Sequence, residues 1–216
     1  MSVSSTKYPH YQPRSNLFER SIIFFNRITS NVFWKIMDNL AYRNEKIDEI
    51  YEHVIGIEYA KEYKEFHLSN HKKLLHVGCG AYPLSEIILA QATHLEIVGI
   101  DKDKATVQHA QNLIRKKHLQ HRVTITYGDG VDYPLDGFDV IIVSSCSVPK
   151  IEVLKTIFSR APQGTIIIVR ELGSALSTIT DLIHQNQHLD IVNRIHHVRL
   201  SYFGLIVWNS LYIKKK

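Results

Sequence analysis

The sequence predicts an α/β protein: a doubly wound, mostly parallel seven-stranded sheet preceded by an N-terminal helical extension. Three observations predict it. After Asn70, short β-rich runs alternate with helical ones, the signature of βαβ units. Before that point apolar residues recur at three and four, the helical period. The last two β-rich runs follow one another with no helix between them, so the sheet should end in an antiparallel hairpin.

The elements follow in order. Residues 1–14 are polar and carry Pro9 and Pro13, which predicts an irregular leader. Residues 15–69 form the helical segment. Leu17, Phe18, Ile22, Phe25 and Ile28 recur helically, as do Phe33, Ile36, Met37 and Leu40, and then Ile47, Ile50, Tyr51, Val54, Ile55 and Tyr59. This aromatic density suits core packing or a homodimer contact. In the α/β domain, 70–216, strands are expected at 73–79, 95–101, 123–127, 138–144, 165–170, 190–197 and 205–213. Helices are expected at 83–92, 103–118, 150–160 and 174–186. Pro83 and Pro149 suit the start of a helix, where a missing N–H costs nothing.

Composition narrows the function classes. At 216 residues and 44% hydrophobic content, the chain can bury one sizeable core. The net charge of +5 includes the terminal Lys214-Lys215-Lys216 run, and the other basic residues are interspersed with acids apart from Arg115-Lys116-Lys117, at the end of an expected helix whose dipole favours cations there. That spread argues against nucleic acid as the main partner, whose footprint is basic clustering on one face. Cys79 and Cys146 lack metal spacing, Met1 to Arg14 lacks the apolar core of a secretory signal, and no run approaches the roughly 20 apolar residues of a membrane span. A reduced, cytoplasmic protein is expected. Among the thirteen histidines, His184 and His188 lie four apart, and His196 and His197 are adjacent and so point to opposite faces of a strand. No metal site is expected.

Chemistry concentrates at the strand ends. The first strand runs into Gly78-Cys79-Gly80 with a helix following Pro83, an arrangement that lets backbone approach a ligand at a helix start. The second ends in Asp101, 21 residues after Gly80, where an acid can accept hydrogen bonds from ribose hydroxyls. A dinucleotide fingerprint would place a third glycine at position 83, which is Pro83. The third strand ends in Gly128-Asp129-Gly130, where an acid could bond an adenine amino group. The fourth ends in Ser144-Ser145-Cys146-Ser147, small polar residues able to line a pocket.

Together these strand ends resemble the class I S-adenosylmethionine-dependent methyltransferase superfamily over residues 70–215. The resemblance implies a Rossmann-like methyltransferase fold with S-adenosylmethionine as co-substrate. It implies a cofactor set of His76, Gly78, Cys79, Gly80, Asp101, Lys102, Gly128, Asp129, Gly130 and Ser144. One position departs from the family: the acid usual two residues before the first glycine is His76 here. The loop Gly78-Cys79-Gly80-Ala81-Tyr82-Pro83-Leu84-Ser85 is also similar to the Gly-Ser-Gly-Pro-Leu-Pro-Leu-Thr loop of nicotianamine synthases and related opine-metallophore enzymes. Those enzymes also lack the acid, place a helical domain before the sheet, and transfer the cofactor's aminobutyrate arm to an amine. The ending Asn209-Ser210-Leu211-Tyr212-Ile213 is similar to theirs as well.

The first functional reading is therefore a methyltransferase acting on a small-molecule acceptor. The alternative is an aminobutyrate (3-amino-3-carboxypropyl) transferase of the nicotianamine synthase type, and the third a non-catalytic or RNA-directed member of the fold. An amine nucleophile needs a proton acceptor, and Glu58 and Tyr82 are the candidates for catalysis.

Overall fold

The computed structural model describes residues 32, 36–38, 40–201 and 204–216. The expectations for residues 1–31, and for Phe33, lie outside them. Residues 36–38 and 40–43 are helical. Asn44 then caps α1 (Glu45–Tyr51), its side chain accepting from the N–H groups of Lys46 and Ile47. A π-helical turn, Glu52–Gly56, joins α1 to α2 (Ile57–Glu65). Tyr51 and Ile55 are buried, and Ile47, Val54 and Tyr59 are packed against the same cluster. Ile50, expected on that face, is 37% exposed. It stands one residue before Tyr51, about 100° around the helix from that apolar stripe.

The α/β body runs β1 (Lys73–Val77), α3 (Leu84–Ala92), β2 (Glu96–Asp101), α4 (Lys104–Lys116), β3 (Val123–Tyr127) and β4 (Val140–Val143). It continues with α5 (Lys150–Arg160), β5 (Ile166–Glu171), α6 (Leu176–His184), β6 (Leu189–Ser201) and β7 (Gly204–Lys215). The seven strands lie in the order β3-β2-β1-β4-β5-β7-β6. The first five are parallel, and β7 runs antiparallel to both β5 and β6. All seven expected strands are present, and the last two form the expected hairpin. β1 stops at Val77, two residues short of expectation, because Gly78 turns to a positive φ of 82°. The last helix begins at Leu176 after a 3₁₀ turn at Gly173–Ala175.

Alternate strand residues feed two cores, which is why the central strands read as unbroken apolar runs. Leu74, Ile97, Ile142 and Ile168 face the N-terminal helices, α3 and α4. Leu75, Val98, Ile141 and Ile167 face α5 and α6. From β1 the chain winds outward through β2 and β3; from β4 it winds the other way. The crevice at the carboxyl ends of β1 and β4 is therefore the switch point, where open α/β sheets bind ligands. No helix among the described residues is long and apolar enough to cross a membrane.

Candidate functional site

Beyond Val77 the chain folds over the tip of β2, with the N–H groups of Gly78 and Cys79 both donating to the Ile100 carbonyl (2.9 and 3.1 Å). Gly78 and Gly80 hold φ of 82° and 74°, a conformation costly for residues with a Cβ. A Cβ on Gly78 would also stand 2.5 Å from Ser147 Oγ. That hydroxyl donates to the Val77 carbonyl at 2.9 Å and so ties the β4 loop to β1.

The Gly80 N–H donates to Asp101 Oδ2 (3.2 Å), and the Asp103 N–H donates to Oδ1 (3.0 Å). Asp103 itself caps α4 through the N–H groups of Ala105 and Thr106, so Asp101 is not needed as the cap. Burial raises the Asp101 carboxyl above its ordinary value, against the pull of these backbone bonds. Asp129 Oδ1 accepts from the Val131 N–H at 3.0 Å, the bond of a turn residue. Asp101, Lys102, Gly128, Asp129 and Gly130 nevertheless line one cavity of about 280 Å³ together with Gly78 and Gly80. Lys102 Nζ donates to the Val148 carbonyl across its rim (2.5 Å).

A second cavity of about 100 Å³ lies under the N-terminal helices and shares Gly78, Gly80 and Cys146 with the first. His76, Cys79 and Ser144 line it, so every expected cofactor residue borders one of two adjoining cavities. Its walls are aromatic, from Tyr51, Tyr59, Tyr82 and Trp208. Burial pushes both cysteine thiols up, leaving them protonated.

Asp38, which sequence reasoning missed, also lines this second cavity. Tyr51 OH donates to its Oδ1 (3.2 Å) and the Tyr82 N–H to its Oδ2 (3.4 Å). A Cβ on Gly80 would lie 3.1 Å from Oδ2, so the carboxylate sits directly over the glycine loop. Burial, reinforced by the nearby charges of Asp101 and Glu86, raises its pKa to about 7 against the pull of the Tyr51 hydroxyl and the Ala81 backbone N–H.

The two expected catalytic residues are placed differently. The ring of Tyr82 lines the cavity, but its hydroxyl donates to Asp48 and to Glu52 (3.2 Å). Lys117 joins the same pair, reaching Asp48 Oδ2 at 3.1 Å and Glu52 Oε1 at 2.5 Å. Glu58 is not among the residues lining either cavity. It is buried against His197 Nδ1 (2.7 Å) and ion-paired to Arg199 Nε (2.6 Å).

Beside Glu58 a second buried network borders the cavity through Arg170. Its Nε and one terminal nitrogen donate to the two oxygens of Glu62 (3.1 and 2.7 Å), and the other donates to Ser85 Oγ (2.6 Å). Its guanidinium lies over the Tyr59 ring at 4.0 Å. Burial would raise the Glu62 carboxyl, but Arg170 and Ser210 more than reverse that and hold it below its usual range. Burial outweighs the pull of Glu58 at His197 and keeps its pKa low; the ring stacks on Trp208 at 4.4 Å. Under the glycine loop, His76 Nδ1 and Glu86 Oε1 meet at 2.7 Å, 3% and 0% exposed. A carboxylate from the first turn of α3 thus stands beside the β1 position that carries His76.

A family profile described as "Nicotianamine synthase protein" matches residues 36–214. Among curated proteins, a Sterol 24-C-methyltransferase of Candida albicans is 30% identical over 87 residues, 39% of this chain. The match spans only 23% of that relative's length. Among solved structures, a variant of MtNAS superposes with a TM-score of 0.67 at 17% identity, covering 91% of this chain and 75% of that one. The same variant in complex with S-adenosylmethionine gives 0.63 at 18% identity, over 90% of this chain and 77% of that one. The YcgJ protein of Bacillus subtilis gives 0.56 at 12% identity, over 73% and 98%. At these identities the structures establish the fold.

Proposed function

Because the chain belongs to the nicotianamine synthase family, and with it to the S-adenosylmethionine-dependent transferases, we propose that it moves the cofactor's aminobutyrate arm, and not its methyl group, onto an amine of a small acceptor. The observation that carries this reading is the match to the nicotianamine synthase profile over residues 36–214; Asp38, a buried carboxyl with a pKa raised to about 7 in the cavity that adjoins the cleft of Asp101 and Asp129, supplies the proton acceptor an amine needs. The acceptor set suits the nucleoside. Asp101 uses two of a carboxylate's roughly four lone-pair sites on backbone N–H groups, which leaves capacity for ribose hydroxyls.

When bound, the cofactor supplies a sulfonium with three electrophilic carbons, and the carbon placed in line with the nucleophile reacts. The protein's part is positioning and water exclusion. Tyr51, Tyr59, Tyr82 and Trp208 give the cavity an aromatic lining of the kind that suits a cation. Asp38 takes the proton released as the amine's lone pair forms its bond to carbon, and a pKa near the operating pH suits a general base. The sulfur–carbon bond breaks with its electron pair on sulfur.

Product analysis tests the reading. With S-adenosylmethionine and a panel of small amines, the nucleoside product should be 5′-methylthioadenosine. S-adenosylhomocysteine in its place would restore the methyltransferase reading. We further place the protein in the cytoplasm: free Cys79 and Cys146 support a reducing compartment.

A further inference from the structure

We infer that Lys117, which lines neither cavity, is a positioning residue: it latches a lid that carries Asp38 and swings out to admit the acceptor. This rests on the second cavity being the acceptor's place. At about 100 Å³ that cavity is well below the roughly 300–1,000 Å³ of small-molecule sites, so an aminobutyrate arm and an acceptor together need a wall to move. The walls are not equally free. Strand ends belong to the sheet, and α2 is fastened to β5 by the buried Glu62–Arg170 pair. Asp38 and Tyr51 come from the segment before α2, made of residues 36–38, 40–43 and α1. Of its described side chains only Met37, Ala41 and Tyr51 are buried, while Ile36, Leu40 and Ile50 are exposed. Elements with few buried apolar contacts are the ones that open first.

Both a hinge and a latch are present. The π-helical turn Glu52–Gly56 interrupts the helix between the lid and α2, and such turns occur frequently at functional positions. Its two ends differ. Ile55 and Gly56 are buried, and a Cβ on Gly56 would meet Ile88 Cδ1 at 2.7 Å, so that end is seated on α3. At the other end His53 is exposed and Glu52 reaches Lys117. Lys117 caps the C-terminus of α4, where the helix dipole favours a cation. Its Nζ bonds Asp48 Oδ2 at 3.1 Å and Glu52 Oε1 at 2.5 Å. Tyr82 OH donates to the same two carboxylates, so the latch also grips the glycine loop. The three ionic side chains keep 17–25% exposure, within reach of salt, whereas Glu62 and Arg170 are 2% and 4% exposed. Closed, the lid sets the Asp38 carboxyl over the glycine loop; open, it uncovers Cys79 in the cavity wall.

Cys79, buried in the second cavity, reports the opening on the full chain without any substrate. Labelling by N-ethylmaleimide, read at each cysteine by mass spectrometry, should be about fivefold faster at Cys79 in Lys117→Met than in wild type. Raising NaCl from about 0.05 M to about 1 M should speed the wild type to a similar degree and leave the variant unchanged. Lys117→Arg, which keeps the charge and can donate to both carboxylates, should restore the slow rate. Cys146 also lines the first cavity, which no described lid residue borders, so its labelling and the affinity for 5′-methylthioadenosine should stay within about twofold. Equal Cys79 labelling in wild type and Lys117→Met overturns the inference. So does a rise shared equally by Cys146, or one matched by an equal loss of stability in urea, which would make Lys117 a general support. In the transfer assay Lys117→Met should lower kcat at unchanged nucleoside affinity. A wild type whose Cys79 labelling responds to salt as stated, yet which forms no 5′-methylthioadenosine, keeps the lid and loses the transfer reading.

Discussion

Asp38→Asn should make the protein more stable at alkaline pH and inactive at every pH. Folding lifts the Asp38 carboxyl from 3.8 to about 7. A carboxyl raised in this way binds its proton more tightly when folded. Its stabilising contribution is full below pH 3.8 and is lost as pH rises through about 7. Three units at about 1.4 kcal/mol each put the ionised form's burden near 4 kcal/mol at pH 8. Asparagine carries no charge but keeps one acceptor, so about 1 kcal/mol is forfeited from the Tyr51 and Tyr82 bonds. The net gain at pH 8 should be about 2–3 kcal/mol, or roughly 5–10 °C in Tm for a chain of this size. At pH 4 the variant should equal or fall slightly below wild type. Thermal unfolding from pH 4 to 9, paired with chromatography of the nucleoside product, measures both halves. Wild-type activity should rise through pH 7 over the window in which its stability falls. An Asn variant no more stable than wild type at pH 8, or one that keeps the wild-type rate, refutes the assignment of Asp38 as a buried base.

Other substitutions separate the roles of neighbouring groups. Gly78→Ala forces an alanine to φ 82° and meets Ser147 Oγ. The left-handed conformation alone costs about 1–2 kcal/mol, and equilibrium dialysis should show weakened nucleoside binding. Glu62→Ala leaves the Arg170 charge buried without its partner and should cost about 3–5 kcal/mol in urea unfolding, whereas Glu62→Gln with Arg170→Met should recover much of that. Glu58→Gln should lower stability through its bonds to His197 and Arg199 while the rate per folded molecule stays within about twofold. A hundredfold fall in rate would make Glu58 the base after all.

The sheet was legible because its signals are local. Each central strand is a short apolar run ended by glycine, acid or serine, and the Gly78 and Gly80 turn sits where two spaced glycines announce it. The strand tips at Asp101 and Ser144 were equally readable, since each is the first polar residue after such a run, and Asp129 stands out between two glycines after β3. What could not be read is the floor and roof of the second cavity. Asp38 meets the Tyr82 backbone across 44 residues, and Glu62 meets Arg170 across 108. Neither spacing leaves a trace in periodicity. A weaker signal was present in α2. Glu58 and Glu62 lie four apart on the helix face that carries Ile55 and Tyr59, and acids on a buried face require buried partners. Glu58 was singled out only as an acid in the helical segment able to accept a proton from an amine. The structure then gives it a different set of neighbours from the cavity it was expected to serve.

The buried polar groups beneath the helical cover divide by whether the protein satisfies them. Glu58, Glu62, Arg170, His197 and Ser210 are bonded chiefly to one another. Such a closed network fixes α2 against β5, β6 and β7, because each member is costly to expose alone. His76 Nε2, Glu86 Oε2, Trp208 Nε1 and Asn209 Nδ2 are buried with no hydrogen-bond partner among the described residues; His76 and Trp208 line the second cavity, whereas Glu86 and Asn209 line neither. Asp38 has hydrogen bonds but is destabilised as an anion by burial and by two like charges. A fold that satisfies five polar groups in one layer could have replaced these with apolar side chains as readily as it did at Leu74 and Ile142. Retaining His76 and Trp208, polar groups held dry and incomplete in the wall of the second cavity, is what a site for a polar ligand requires.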